Sequence, residues 1–195
     1  MSDTERKPPT AKEITIRLYW TLRGASQLLI PRYTPSKWWE CDMWRLTKAD
    51  FVDEYEIKMS VADFKADLLK CQRGWEIGPD GRYQQKAPVT KHELLAGSER
   101  GPNRFWFVVP EAIEEKIEVP PYAGLMVFGR CNPVISKQAP RRHGRKWDGN
   151  KLAVFSAFYH RYWTHEARTK EEIPPAVELT ELDATFAAMQ EGGTA

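Results

Sequence analysis

Two neighbouring stretches decide the fold: Trp39-Glu-Cys-Asp-Met-Trp-Arg-Leu46 and Phe51-Val-Asp-Glu-Tyr-Glu-Ile-Lys-Met59. The first is rich in aromatic residues, which favour strands, and its strand is expected to begin at Lys37. The second alternates in polarity, and a short polar turn at 47–50 separates the two, so together they predict a β-hairpin. Ser60 and Asp63 follow at once as a capping-box pattern, with Val61, Phe64 and Leu68 at helical spacing up to about Lys70.

Working outward, Thr10 and Glu13 form another capping box. Ile14, Leu18 and Leu22 then predict a first helix over 11–23. Ser26 to Tyr33 reads as a strand that Pro31 and Pro35 break into an edge or a turn, because proline removes a ladder donor. Arg73 to Val89 is turn-rich and reads as a loop. Thr90 and Glu93 cap a short helix that stops at Gly97. Asn103 to Pro110 and Gly124 to Phe128 are short and nearly all apolar, as strands covered on both faces are. Asn132 to Gln138 adds an edge strand, and Asn150 to Ala167 a last helix with Leu152, Phe155, Tyr159 and Tyr162 in periodic register. The order predicts a mixed α/β sandwich with a hairpin in front and a crossover behind. Residues 1–9 read as a leader, 10–170 as one domain with a flexible basic loop at about 130–149, and 171–195 as an acidic tail.

Composition narrows the classes of function. The 195 residues are 42% hydrophobic and 29% charged, so a packed core is within reach and disorder is not the default. No apolar run reaches the ~18 residues of a membrane helix. The polar start is no secretory signal, and three dispersed cysteines fit a reducing cytoplasm rather than a disulfide framework or a zinc site. The formal net charge is +2, from 29 basic and 27 acidic residues. Six of the acids fall within 171–195, which has no Lys or Arg, leaving 29 bases against 21 acids before it. A basic body suits a polyanion, although a solvated surface of mixed charges is the commoner meaning of such a balance.

Side chains alternate faces along a strand, so Glu40, Asp42 and Trp44 share one face and Glu54, Glu56 and Lys58 another. Strands about 4.8 Å apart let Asp42 meet Glu56. Two carboxylates there suit Mg²⁺, which takes one or two and completes its shell with water and phosphate oxygens. Lys58 would orient a water or stabilise charge on a phosphate. The alternative is a solvated strand face with cross-strand ion pairs.

The order helix, strand, Asp-bearing strand, Glu-x-Lys strand, helix resembles the PD-(D/E)XK nuclease superfamily. Within it the chain is similar to MmcB-type DNA-repair proteins and Holliday-junction resolvases of phage or bacterial origin. The stretches that carry this are Trp39 to Asp42, Glu54 to Asp67, Asn103 to Pro110 and Val119 to Leu125. The resemblance implies an α/β, restriction-endonuclease-like three-layer α-β-α sandwich with a mixed central sheet, and Mg²⁺-dependent (or Mn²⁺-dependent) hydrolysis of DNA phosphodiesters, in repair, recombination or phage DNA processing. It implies Asp42, Glu56 and the Ile57 carbonyl as metal ligands and Lys58 as the catalytic lysine. Glu13 and Glu40 are candidate accessory acids. Cys41 stands where the motif has Pro.

The segment with Arg141, Arg142, Arg145 and Lys146 is suited to tracking a phosphate backbone, with Trp147 stacking on a base. Lys91 and His92 at the start of the short helix would reach phosphate or serve the cap. The expected partner is DNA, with RNA open; a homodimer is compatible and no membrane partner is expected. Two rival readings are a nucleic-acid-binding protein without turnover and a protein-interaction module with a basic face.

Overall fold

The computed structural model describes residues 8–35, 38–72, 75–77, 82–85, 87–97, 99, 101–129 and 132–169. Residues 1–7 of the leader, Lys37, Arg130 and the acidic tail lie outside the described residues.

Helix α1 (Ala11–Leu22) opens on the expected capping box: the Thr10 hydroxyl accepts the Glu13 N–H while the Glu13 carboxylate accepts the Thr10 N–H. A 3-10 turn (Arg23–Ala25) ends it and leads into strand β1 (Ser26–Tyr33). β1, β2 (Cys41–Thr47) and β3 (Val52–Ile57) form an antiparallel meander. The β2–β3 turn places Asp50 at φ 63°, a left-handed conformation that Asp tolerates better than most residues. The Gln27 side chain holds that turn, donating to the Thr47 carbonyl and to Asp50 Oδ1.

Helix α2 (Val61–Leu68) starts at Ser60, whose hydroxyl accepts the Asp63 N–H. The box is half formed, because the Asp63 carboxylate accepts from Met59 N instead. The stretch expected as a loop carries two small antiparallel pairs: β4 (Cys71–Gln72) with β7 (Val89–Thr90), and β5 (Trp75–Ile77) with β6 (Tyr83–Gln85). Helix α3 (Lys91–Gly97) follows β7 directly. β8 (Arg104–Pro110) and β9 (Ala123–Phe128) run parallel to β3, joined by a 3-10 segment (Glu111–Lys116), and β10 (Val134–Lys137) closes the far edge antiparallel. The six-stranded order is β1-β2-β3-β8-β9-β10.

Period two sorts the core into two layers. Met43, Tyr55, Ile57, Trp106, Val108 and Met126 pack under Ile14, Leu18 and Leu22 of α1. Phe105, Phe107, Val109, Leu125 and Val127 face the other way, against Phe64 of α2 and Leu95 of α3. The fold is therefore an α/β three-layer sandwich with a mixed sheet. Gly124 is required where it stands: a Cβ there would lie 2.6 Å from the Ala139 nitrogen and from the Trp106 ring.

The chain divides into two units, Met1–Asp148 and Gly149–Ala195, so the expected domain over 10–170 spans both. The second holds helix α4 (Lys151–Thr169), where Asn150 Oδ1 accepts the N–H groups of Leu152 and Ala153. Among the described residues, no helix is long and apolar enough to cross a membrane.

Candidate active site

Asp42, Glu56 and Lys58 lie on one side of the sheet, the side covered by α2 and α3. Met43 pairs with Tyr55 and Trp44 with Glu54, so one step along the ladder Asp42 faces Glu56. Asp42 is half-buried, and its Oδ2 accepts the Ile57 N–H at 2.8 Å. Burial first, and then the neighbouring Glu56 carboxylate, push its pKa up to about 6, against the pull of the Ile57 N–H and Lys58. Two acids with too little positive charge between them produce such a shift.

The polar face of β3 is not solvated. Glu54, Glu56 and Lys58 are 0%, 5% and 7% exposed. Buried charges need partners, and here they form one network. Lys58 Nζ donates to Asp67 Oδ1 of α2 at 2.9 Å and to Glu56 Oε2 at 3.3 Å. Asp67 Oδ2 meets His92 Nε2 at 2.8 Å, and His92 Nδ1 meets the Tyr122 hydroxyl at 2.7 Å. Lys91, 1% exposed, sits against Glu56 Oε1 and 3.2 Å from Glu54 Oε1, below the ring of Trp39. Trp39 also donates its indole N–H to Glu54.

The electrostatics follow from this crowding. Burial opposes the charge on Asp67, yet the His92 hydrogen bond, Lys91 and Lys58 hold its carboxyl well below the usual carboxylate range. Burial also opposes the ammonium of Lys58, but Glu56 and Asp67 outweigh it, so Lys58 stays charged. Glu54 is raised, chiefly by burial, with Glu56 adding to the shift. Glu54 Oε2 and the indole nitrogen of Trp44, residues paired across β2 and β3, are both buried without a hydrogen-bond partner among the described residues. Four carboxyl groups thus gather around two ammonium groups, with His92 beside Asp67.

Several expected site residues stand elsewhere. Lys91 is no phosphate contact: its ammonium is sealed inside, and it compensates Glu54 and Glu56. Glu13 is exposed on α1, over the opposite face of the sheet, and is spent on its own helix cap. Glu40 is exposed just before β2. The basic segment is tied down rather than loose. The Asn103 side chain donates to the His143 and Arg145 carbonyls and accepts the Val52 N–H. Arg142 binds the Leu94, Leu95 and Pro102 carbonyls, which makes it a structural tie. Trp147 is half-buried, its ring set edge-to-face with buried Trp44 and its backbone N–H donating to the Asp50 carbonyl. Arg141, Arg145 and Lys146 are exposed. The segment meets the start of β3 and β8, whereas Glu56 and Lys58 lie at the end of β3.

Sequence reasoning missed Asp67 and Tyr122, and it named Glu54 and His92 without their part in this network. One signal was available: Asp67 lies three residues after Phe64, beside the apolar stripe of α2, where an acid needs a buried partner.

Asp42 and Glu56 are the hard oxygen donors that a divalent cation would use, and both Glu56 oxygens already hold ammonium groups, Oε1 that of Lys91 and Oε2 that of Lys58. Among the described residues no three His, Cys, Asp or Glu side chains form a metal site by themselves. Mg²⁺ does not require three, since water fills the rest of its shell.

No family model matches the chain, and no curated protein matches it significantly in sequence. Among solved structures it is similar to a protein of unknown function from Silicibacter pomeroyi, with TM-score 0.53 and 16% identity, over 89% of this chain and 99% of the other. At that identity the likeness extends to the fold alone.

Proposed function

We propose that this chain is a divalent-cation-dependent nuclease of the PD-(D/E)XK type that hydrolyses DNA phosphodiester bonds, with RNA as a further candidate substrate. The supporting observation is the opposition of Asp42 and Glu56 across β2 and β3, with Lys58 on the same face. Asp42, Glu56 and the Ile57 carbonyl would hold Mg²⁺ or Mn²⁺, which when bound supplies a Lewis acid and an activated water. Lys58 remains an ammonium, so its part is to stabilise charge on the phosphate oxygens, not to accept a proton. Asp67 fixes its position. Asp42 must be ionised to serve, so binding of the cation has to release its proton when the pH is below about 6.

A second reading has its own support. Lys91 already neutralises Glu56 from inside, as in a fold that has kept its charges but exchanged an external cation for an internal one. That arrangement favours a nucleic-acid-binding protein without turnover.

One experiment separates the two. Labelled linear duplex, single-stranded and four-way-junction DNA are incubated with Mg²⁺ or with chelator, using wild type, Asp42→Asn and Lys58→Ala. Cutting that needs Mg²⁺ and disappears in both variants while binding persists supports the nuclease. Equal cutting by the variants removes this site from consideration. Binding with no cutting in Mg²⁺ or in chelator assigns the second reading.

A further inference from the structure

A second charged cluster lies at the other end of β3, on the α1 side of the sheet. Asp53 pairs across the ladders with Arg45 of β2 and Arg104 of β8, and Arg141 reaches the same place from the basic segment. Three guanidinium groups therefore surround one carboxylate. Arg45 is fully engaged: it donates to Asp53 Oδ2 at 3.0 Å, to Ser26 Oγ at 2.9 Å and to the Ala25 carbonyl at 3.0 Å. The Asp53 charge is thus answered by Arg45, and Arg104 and Arg141 are left in excess.

These two arginines border a hollow of about 220 Å³ together with Phe51, Asp53 and Asn103. Arg141 is held over the Phe51 ring at 4.1 Å, so its orientation is set before any ligand arrives. Arg104 is half-buried, and its Nε is buried with no acceptor among the described residues. Asn103 is spent on the backbone and contributes shape rather than hydrogen bonds.

We infer that this hollow is an anion site for a phosphate group, gripped by Arg104 and Arg141. Two guanidinium forks, each with paired N–H donors, match the oxygens of a tetrahedral phosphate. Asp53 and Glu56 point to opposite faces of β3, so this site is separate from the candidate active site and stands whether or not the chain cuts DNA. The phosphate could come from a nucleic-acid backbone or from free phosphate.

The test is an amide NMR titration at constant ionic strength, balanced with chloride. The probes are inorganic phosphate and a short single-stranded oligonucleotide, applied to the full chain. Saturable shifts at Phe51, Asn103 and Arg104 are expected, weakened at least about fivefold in Arg141→Gln and in Arg104→Gln. Arg141 is exposed, so its variant keeps the test valid should Arg104→Gln fail to fold. An oligonucleotide that binds at least about tenfold tighter than phosphate identifies a nucleic-acid backbone as the source, because further basic residues add contacts. Equal affinities identify free phosphate. Shifts that chloride alone reproduces, shifts elsewhere on the surface, or affinity unchanged in Arg141→Gln would overturn the site.

Discussion

The ammonium of Lys91 lies against the carboxylate of Glu56, and both are sealed from solvent. A residue at the start of a short helix thereby neutralises the acid at the centre of the candidate site. Removing one member of a buried pair leaves the other uncompensated, at a cost of about 3–5 kcal/mol. Lys91→Met should lower unfolding stability in urea by that amount, and adding Glu56→Gln should restore more than half of it. A loss below about 0.5 kcal/mol, typical of a surface lysine, would contradict the buried pairing.

Stability should also depend on Asp42 with a definite sign. Its folded pKa, about 6, lies above its unfolded value of about 3.9. Its contribution is therefore fully present below the unfolded value and is lost as pH rises through about 6. In chelator at pH 7.5, Asp42→Asn should be more stable than wild type by about 1–3 kcal/mol, and the gap should close as pH approaches 4. Glu54 shifts in the same direction, so the comparison with Asp42→Asn isolates the residue. An Asn variant less stable than wild type at pH 7.5 would refute the crowding of Asp42 with Glu56.

Asp67 has the opposite sign. Its depressed carboxyl contributes stability above the unfolded value, lost as pH falls through the folded one. Asp67→Asn should destabilise at pH 7 by about 2–4 kcal/mol, since Lys58 and His92 both lose a charged partner. The loss should shrink in acid. A deficit that stays constant from pH 7 to pH 3 would make Asp67 a packing residue only.

Asn103 joins β3 to the basic segment through three hydrogen bonds, to Val52, His143 and Arg145. Asn103→Ala should cost about 2–3 kcal/mol by leaving buried backbone groups unpaired. It should also raise amide hydrogen exchange across 143–147. Unchanged exchange there would show the segment to be held by other contacts.

Gly124→Ala tests the β9 packing. The added methyl would collide with the Ala139 backbone and the Trp106 ring, and overpacking of this kind costs about 1–3 kcal/mol or more. Wild-type melting behaviour in this variant would mean that β9 and the Ala139 segment stand farther apart than described.

Much of the architecture was legible because local signals agreed with it. Thr10-x-x-Glu13 marks the start of α1, Pro31 an edge strand, and the apolar runs at 104–110 and 123–128 the two central parallel strands. The pairing of Asp42 with Glu56 followed from strand periodicity and a short turn. What periodicity could not show is which polar face is covered. Glu54-x-Glu56-x-Lys58 has the pattern of a half-solvated strand, and only the docking of α2, which follows at once, and of α3, far along the chain, buries it. The role of Lys91 was hidden for the same reason: a lysine opening a helix reads as surface until its partners from another strand are known. The basic segment misled through composition, because charge density does not reveal that Arg142 is spent on three carbonyls.

The sheet is assembled from two kinds of neighbour. β1, β2 and β3 follow one another through short connections, whereas β3 meets β8 only after a long crossover. Loop-closure entropy makes the first kind quick to form and the second slow. The meander can thus appear early with its row of acids still hydrated, and the lysine that answers them arrives with the crossover. Desolvation and long-range closure are then expected to fall in one kinetic step, so that stopped-flow refolding rates should vary with salt and pH.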